Sequence, residues 1–312
     1  MTGSKLPASG RITHPAWLPY SSLVFVMIIH AISVIVSRDI RTEIPPVGLT
    51  FWRYLAATVL LLPFVYRQCI EQWPGIRRMW RHIVVIAVAQ AALGQVLFYI
   101  GLHTTTATNA GLIIALQPAI VILCAFLVLG DVMSRRQVLG LGMALAGAVI
   151  IVVRGDLNVI RNLDFVIGDF WVLLAIVCWG YYAILVRQCA AVMSPLVIFE
   201  TQSFVAFVSL LPIYMIEMTV FGNYMPITLH AAGTVMFFAV FSSIIALGVV
   251  IYAIATIGPG RSAMFSYLIP PFTAIGAVAL LGESFERYHL IGMVAVLAGV
   301  FLATRQPMKT RS

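Results

Sequence analysis

Charge is what this chain has least of. Only 10% of its 312 residues are Asp, Glu, Lys or Arg, while 62% are hydrophobic. A soluble domain carries about 25% charged residues. So few charges cannot cover a water-soluble body of this size, and lipid must solvate most of it. Lysine is nearly missing. Lys5 and Lys309 are the only two, and neither sits in the Gly-Lys-Ser/Thr context of a phosphate-binding loop, which excludes an ATP-driven pump of that kind. There is no His-Glu-x-x-His and no Gly-x-Ser-x-Gly, so intramembrane metalloprotease and serine-hydrolase chemistries have no carrier. The four cysteines, Cys69, Cys124, Cys178 and Cys189, lack metal-ligand spacing and read as small apolar fillers. No metal or other cofactor is expected. A channel stays among the alternatives, although the sequence shows no ring of like charges and no filter-like repeat.

What is present is a succession of apolar runs. A helix needs about 20 apolar residues to cross a bilayer core of about 30 Å. Candidate spans are 18–37, 46–66, 82–102, 106–129, 136–153, 167–187, 195–216, 230–257, 259–281 and 288–304. The eighth and ninth nearly touch and are separated at Ile257-Gly258-Pro259-Gly260, where Gly and Pro break a continuous helix. The first run is too long for the core of a secretion signal and is expected to be retained.

The net charge is +8, which in a soluble protein would raise the question of nucleic acid. Here the basic residues cluster between apolar runs, as at Arg77, Arg78 and Arg81, and read as loops facing anionic headgroups. With the N-terminus in the cytoplasm, Lys and Arg divide 13 inside to 5 outside, leaving Arg53 within the second span. That division predicts an integral membrane protein with both termini cytoplasmic.

The chain also repeats itself. Residues 38–63 match 187–212 at an offset of 149: Pro46 meets Pro195, and Leu61-Leu62-Pro63 meets Leu210-Leu211-Pro212. Residues 107–149 match 259–301 at an offset of 152: Pro118 meets Pro270, Gly140 meets Gly292, and Leu145-Ala146-Gly147 meets Leu297-Ala298-Gly299. The expected layout is a tail 1–17, a first five-helix repeat 18–155, a second 156–304 and a tail 305–312. Five crossings is an odd number, so the second copy enters the membrane from the opposite side. The loops agree: Arg67, Arg77, Arg78 and Arg81 follow the second span, whereas Glu217 is the charge expected after the seventh. Inverted repeats of this kind characterise many secondary transporters.

Polar groups inside such helices are costly, so their positions are informative. They fall in stripes at helical spacing: His30, Ser33 and Ser37; Gln95, Tyr99 and His103; Asn109 and Gln117; Trp171, Trp179 and Tyr182; Glu200 and Ser203; Ser242, Tyr252 and Thr256; Ser262 and Ser266. One reading places them around a central cavity with an aromatic, hydrogen-bonding and nearly uncharged lining. On that reading His30, Gln95, Tyr99, Gln117, Trp179, Tyr182, Tyr252 and Ser266 meet the substrate. The other reading is plain helix–helix hydrogen bonding, which suits Ser, Thr and Asn best. Glu200 is the candidate for proton coupling, and Arg53 either lines the cavity or snorkels. Pro118, Pro259, Pro270 and Pro271 break helices within the membrane and are candidate hinges. Asp131 and Glu283 follow span ends and are expected to cap the next helices. Gly140, Ala144 and Ala148, mirrored by Ala295, Gly299 and Ala303, form small-residue ridges for close packing.

Taken in order, the five-plus-five repeat, Phe51-Trp52-Arg53, Trp179-Gly180, the stretches Tyr99 to Pro118 and Tyr252 to Pro271, and Gly282-Glu283 resemble the EamA-type ten-helix branch of the drug/metabolite transporter superfamily. The resemblance covers nearly the whole chain. His30 stands where the family has Trp, Asp131 where it has Glu, and Gln202 where the second repeat would mirror Arg53. The resemblance implies an all-α membrane protein of two inverted five-helix repeats. It implies a bacterial inner-membrane location, a monomer or weak homodimer, and export of small organic metabolites, amino acids first among them. An exchanger of nucleotide sugars or phosphorylated metabolites is the second choice, because Arg53 alone is too little positive charge for phosphate. A receptor or scaffold without transport is the third, though it has no need of an inverted repeat.

Overall fold

The computed structural model describes residues 15, 17–40, 43–105, 107–156, 158–162, 165–281, 286–304 and 309–310. Ten apolar helical segments account for most of them. They are α1 (Leu18–Asp39), α2 (Pro46–Glu71), α3 (73–104), α4 (107–129), α5 (Arg135–Val152), α6 (Ile167–Cys189), α7 (Pro195–Thr219), α8 (229–257), α9 (259–281) and α10 (Arg287–Thr304). Eight helices meet the length and hydropathy needed to cross a membrane, and α1 and α9 complete the ten. Proline opens α2 and α7 at Pro46 and Pro195, where its missing N–H costs nothing and its φ already suits a helix. Gly258, at φ +90°, separates α8 from α9, and Pro259 starts the new helix.

Each helix of one copy meets its counterpart or its counterpart's neighbours in the other. The pairs α2 with α7 and α5 with α10 lie side by side. Helix α6 packs on α3 and α4, and α1 packs on α8 and α9. Exchanging every helix with the one five places later leaves this pattern unchanged. The counterparts run antiparallel. Gly48 at the start of α2 touches Glu217 at the end of α7, and Gln72 just past α2 bonds Ser194 just before α7. Gly140 faces Gly299, while Gly147 faces Gly292. The two copies are therefore inverted about an axis in the membrane plane, as five crossings per copy require.

The α5–α10 seam is as close as backbone allows. A methyl group on Gly140 would lie 2.5 Å from the Gly299 carbonyl oxygen, and one on Gly147 2.6 Å from that of Gly292. These ridges are packing surfaces, where lipid supplies no hydrophobic drive and close van der Waals contact takes its place. The outer face is apolar: Phe64 is 80% and Leu127 69% exposed, an arrangement only lipid would solvate.

Three features of the helices depart from the sequence reading. Helices α3 and α8 each carry a π-helical stretch at mid-length, Val88–Gln95 and Phe238–Leu247. Helix α3 begins at Trp73, well before residue 82, and draws Arg77, Arg78 and Arg81 into an amphipathic first half. Glu217 is not in a loop. It lies in the last turn of α7, 7% exposed, and its carboxylate accepts from Val47 N at 3.3 Å and Gly48 N at 2.7 Å, capping α2. At the other end the Gln72 side chain accepts from Ser194 N at 2.7 Å, so each helix of the pair caps the other.

Asp131 does not cap α5. That role belongs to Ser134 and Gln137, which form a capping box. Asp131 instead pairs in a two-residue strand with 309–310, where burial raises its carboxyl above the usual range and Arg187 opposes the rise. Glu283 and Gly282 lie outside the described residues.

Candidate functional site

The break points come first, because they position everything else. Helix α4 is interrupted at Ala115 and Leu116, immediately before Gln117 and Pro118. Helix α9 tightens to a 3₁₀ turn at Phe265–Leu268, immediately before Pro270 and Pro271. At the 152-residue offset the two interruptions coincide. The same holds roughly for the π stretches of α3 and α8. Irregular backbone at membrane depth is tolerated only inside protein or beside a cavity, and π segments recur at functional sites. All four interruptions lie on the helices that hold α1 and α6.

Around the π stretch of α3 the structure gathers a polar cluster. An Arg53 terminal nitrogen donates to Gln95 Oε1 at 3.3 Å, and its guanidinium carbon sits 5.0 Å from the centre of the Tyr54 ring. The Tyr54 hydroxyl donates to Gln90 Oε1 at 2.7 Å. Trp179 Nε1 donates to the Gln90 carbonyl at 3.3 Å, and its ring lies 5.6 Å from that of Phe98. A methyl group on Gly94 would collide with the Trp179 indole and with the Ala89 carbonyl, so glycine is what lets Trp179 sit against the π stretch. His30 is close enough to Arg53 to feel its charge, and its Nδ1 is buried without a hydrogen-bond partner. Tyr182, 5% exposed, places its hydroxyl by Gln202 of α7. The cluster thus draws on α1, α2, α3, α6 and α7, and crosses the boundary between copies.

Of the sequence-selected residues, His30, Gln95, Trp179, Tyr182 and Arg53 stand in this neighbourhood. Gln117 follows the break in α4, Ser266 lies within the equivalent 3₁₀ turn of α9, and Tyr252 lies half-buried on α8. The side chains of Ser37, Tyr99 and His103 lie outside the described residues. Glu200 is 3% exposed, near Cys69 of α2, with Oε2 lacking a hydrogen-bond partner. Several hydroxyls do what membrane serines and threonines commonly do and bond the carbonyl four residues back: Ser33 to Ile29 at 2.9 Å, Thr256 to Tyr252 at 2.6 Å and Ser262 to Gly258 at 2.8 Å. An apolar groove of about 560 Å³ lies elsewhere, between α1, α9 and α10, lined by Tyr20, Phe265, Leu268 and Phe301 among others. Its walls are those of a lipid-facing crevice, not of the polar cluster.

Sequence reasoning missed Gln90, Tyr54, Asp169, Tyr20 and Arg261. Asp169 binds Val166 N at 2.9 Å, Asn109 Nδ2 at 3.0 Å and the Thr105 hydroxyl, joining the start of α6 to the α3–α4 connection. Arg261 lies half-buried in the first turns of α9 and donates to the Tyr20 hydroxyl and the Thr304 carbonyl. The signal that would have found them is the repeat itself. Offsets of 149 and 152 carry Tyr20 onto Asp169 and Asn109 onto Arg261.

Comparison with known proteins agrees with this architecture. The model of the EamA-like transporter family matches twice, over residues 17–153 and 166–305. The uncharacterized transporter YyaM of Bacillus subtilis is 28% identical over 255 residues, 81% of this chain and 82% of that protein. An uncharacterized transporter of Archaeoglobus fulgidus is 28% identical over 90% of this chain and 96% of its own length. A "Probable terminal-alkyne amino-acid exporter" of Streptantibioticus cattleyicolor is 28% identical over 85% of this chain and 86% of its own. A solved crystal structure, 16% identical, superposes with a TM-score of 0.72 over 91% of this chain and 96% of that one, which shows the shared fold. The chain belongs to the EamA-like transporter family of the drug/metabolite transporter superfamily, a multi-pass membrane transporter built on a repeated five-helix unit.

Proposed function

We propose that the protein exports small organic metabolites, amino acids or related amphipathic compounds, across a bacterial plasma membrane, with both termini in the cytoplasm. It works by alternating access, the two inverted copies exchanging conformations around the polar cluster at their interface. The observation that carries this reading is the reciprocal packing: α1 sits against α8 and α9 while α6 sits against α3 and α4. Each copy's first helix is held by the interrupted helices of the other copy. If one copy adopts the other's conformation, access passes from one side of the membrane to the other. Pro118, Pro270 and Pro271, beside the matching breaks, serve as hinges, and Pro259 frees α9 from α8.

The substrate class is argued from the cluster's chemistry. Amides, a phenol, an indole and one guanidinium suit a molecule with a small polar head and an apolar remainder, which rings such as Trp179 and Phe98 can stack. The relative named as a probable amino-acid exporter supports the same class. A phosphorylated substrate fits less well, since phosphate is held by several cations and only Arg53 is at hand.

The test is efflux from proteoliposomes loaded with a panel of amino acids and related compounds, with and without a pH gradient. Saturable, protein-dependent efflux that accelerates when unlabelled compound is placed outside supports the reading. No protein-dependent flux across the panel would refute it.

A further inference from the structure

The electrostatics of the cluster are unbalanced. Arg53 lies seven residues into α2, about 10 Å from the helix end at 1.5 Å per residue. Its recorded partners are neutral: the Gln95 amide oxygen and the Tyr54 ring. Its Nε is buried with no hydrogen-bond partner, and so is His30 Nδ1 close by. Among the described residues no carboxylate pairs with Arg53. The three buried acids all lie elsewhere. Asp169 holds Thr105, Asn109 and Val166, Glu217 caps α2, and Glu200 lies by Cys69 toward the opposite end of α2. A half-buried cation without a counter-charge is costly at membrane depth, and such a residue marks function by default.

We infer that the missing counter-charge is the substrate's: Arg53, with His30 beside it, anchors a carboxylate of the transported molecule. A guanidinium presents a planar fork of donors that matches a carboxylate, and one such fork balances one negative charge. The apolar remainder of the molecule then faces Trp179 and Phe98, and Trp179 is held by the Gln90 carbonyl on the same π stretch that carries Gln95. This rests on the transport reading above and narrows it. Compounds lacking a carboxylate are rejected because they leave the guanidinium unpaired.

The experiment compares matched sets in proteoliposomes holding the full-length protein. Each amino acid that gives efflux is tested beside its primary amide, its decarboxylated amine and its deaminated acid. For wild type, the two carboxylates should compete for efflux about tenfold or more better than the amide or amine, the loss expected when a charge-assisted hydrogen bond is removed. In Arg53→Gln that preference should collapse to about twofold or less because the acids lose far more than the amides, and Arg53→Lys should retain part of it. Equal competition by acids and amides in wild type overturns the proposal and needs no variant to fold. So does equal competition by sodium chloride at matched ionic strength, or an Arg53→Gln variant that weakens acids and amides alike. If no compound moves at all, the transport reading itself falls. If compounds move without regard to the carboxylate, only the anchor falls.

Discussion

Asn109 donates to the Asp169 carboxylate at 3.0 Å, and the residues at the equivalent positions of the other copy, Arg261 and Tyr20, are bonded to each other as well. The inverted repeat therefore keeps one contact at both ends of the molecule while changing its chemistry. On the side of the chain termini it is a cation with a phenol. On the opposite side it is an amide with a carboxylate. Both contacts tie the first helix of one copy to the connection between the third and fourth helices, or to the start of the fourth, in the other. These are the places that must separate for that side to open.

Asp169 should accordingly be more sensitive than its partner. Removing its carboxylate takes one shared acceptor from Val166 N, Thr105 and Asn109 and removes the cap of α6. Asp169→Ala should cost about 2–4 kcal/mol, from a lost cap together with charge-assisted hydrogen bonds. Asn109→Ala should cost about 1 kcal/mol, one hydrogen bond. Thermal unfolding in detergent measures both. A smaller loss for Asp169→Ala than for Asn109→Ala would contradict the arrangement.

Gly94→Ala tests the seat of Trp179. The added methyl group has no room between the indole and the Ala89 carbonyl, so the ring must leave Gln90 or the π stretch must rewind. Export should fall by about tenfold, as a displaced site residue implies, with the protein still in the membrane. Trp179→Ala should do the same. Export at the wild-type level in both would remove Trp179 from the site.

The α5–α10 seam predicts the opposite outcome, loss of the protein and not of activity alone. Gly140→Leu or Gly299→Leu must push apart two backbones in direct contact, at a cost of about 3 kcal/mol or more. Membrane levels should drop sharply for both, whereas Gly142→Leu, where a Cβ meets nothing within 4 Å, should be tolerated.

The contrast between these sites shows what the sequence could disclose. Ten helices, most of their boundaries to a few residues (the start of α3 excepted) and the inverted pairing follow from apolar run lengths and from repeated Pro and Gly, since the bilayer fixes how long a helix must be and glycine how closely two can approach. Gly140 against Gly299 is such a case. The interruption before Pro118 was also legible, because proline cannot donate. The π stretches were not. Val88–Gln95 and Phe238–Leu247 contain no proline, and a π turn arises from tertiary fit more than from local propensity. Gln90 was overlooked for the same reason, since its placement beside Tyr54 and Trp179 depends on that altered register. Glu217 reads as a loop charge because it lies within a few residues of a helix end, and only packing reveals that it is buried, as only packing reveals that Arg261 reaches Tyr20.

Glu200 offers the last and least conventional test. It is 3% exposed, one turn and a half into α7, and Oε2 has no hydrogen-bond partner. A carboxylate is rare and costly inside a membrane helix and marks a candidate proton carrier, a role that an amide of the same shape cannot fill. If it couples transport to protons, Glu200→Gln should still catalyse exchange of labelled for unlabelled substrate at close to the wild-type rate. Net efflux driven by a pH gradient should fall to the level seen without the gradient. Gln also retains the shape and hydrogen-bonding capacity of the side chain, so a purely structural role would leave both measurements together, either both normal or both reduced. Separation of the two is the outcome that proton coupling alone produces, and parallel behaviour would assign Glu200 to helix packing beside Cys69.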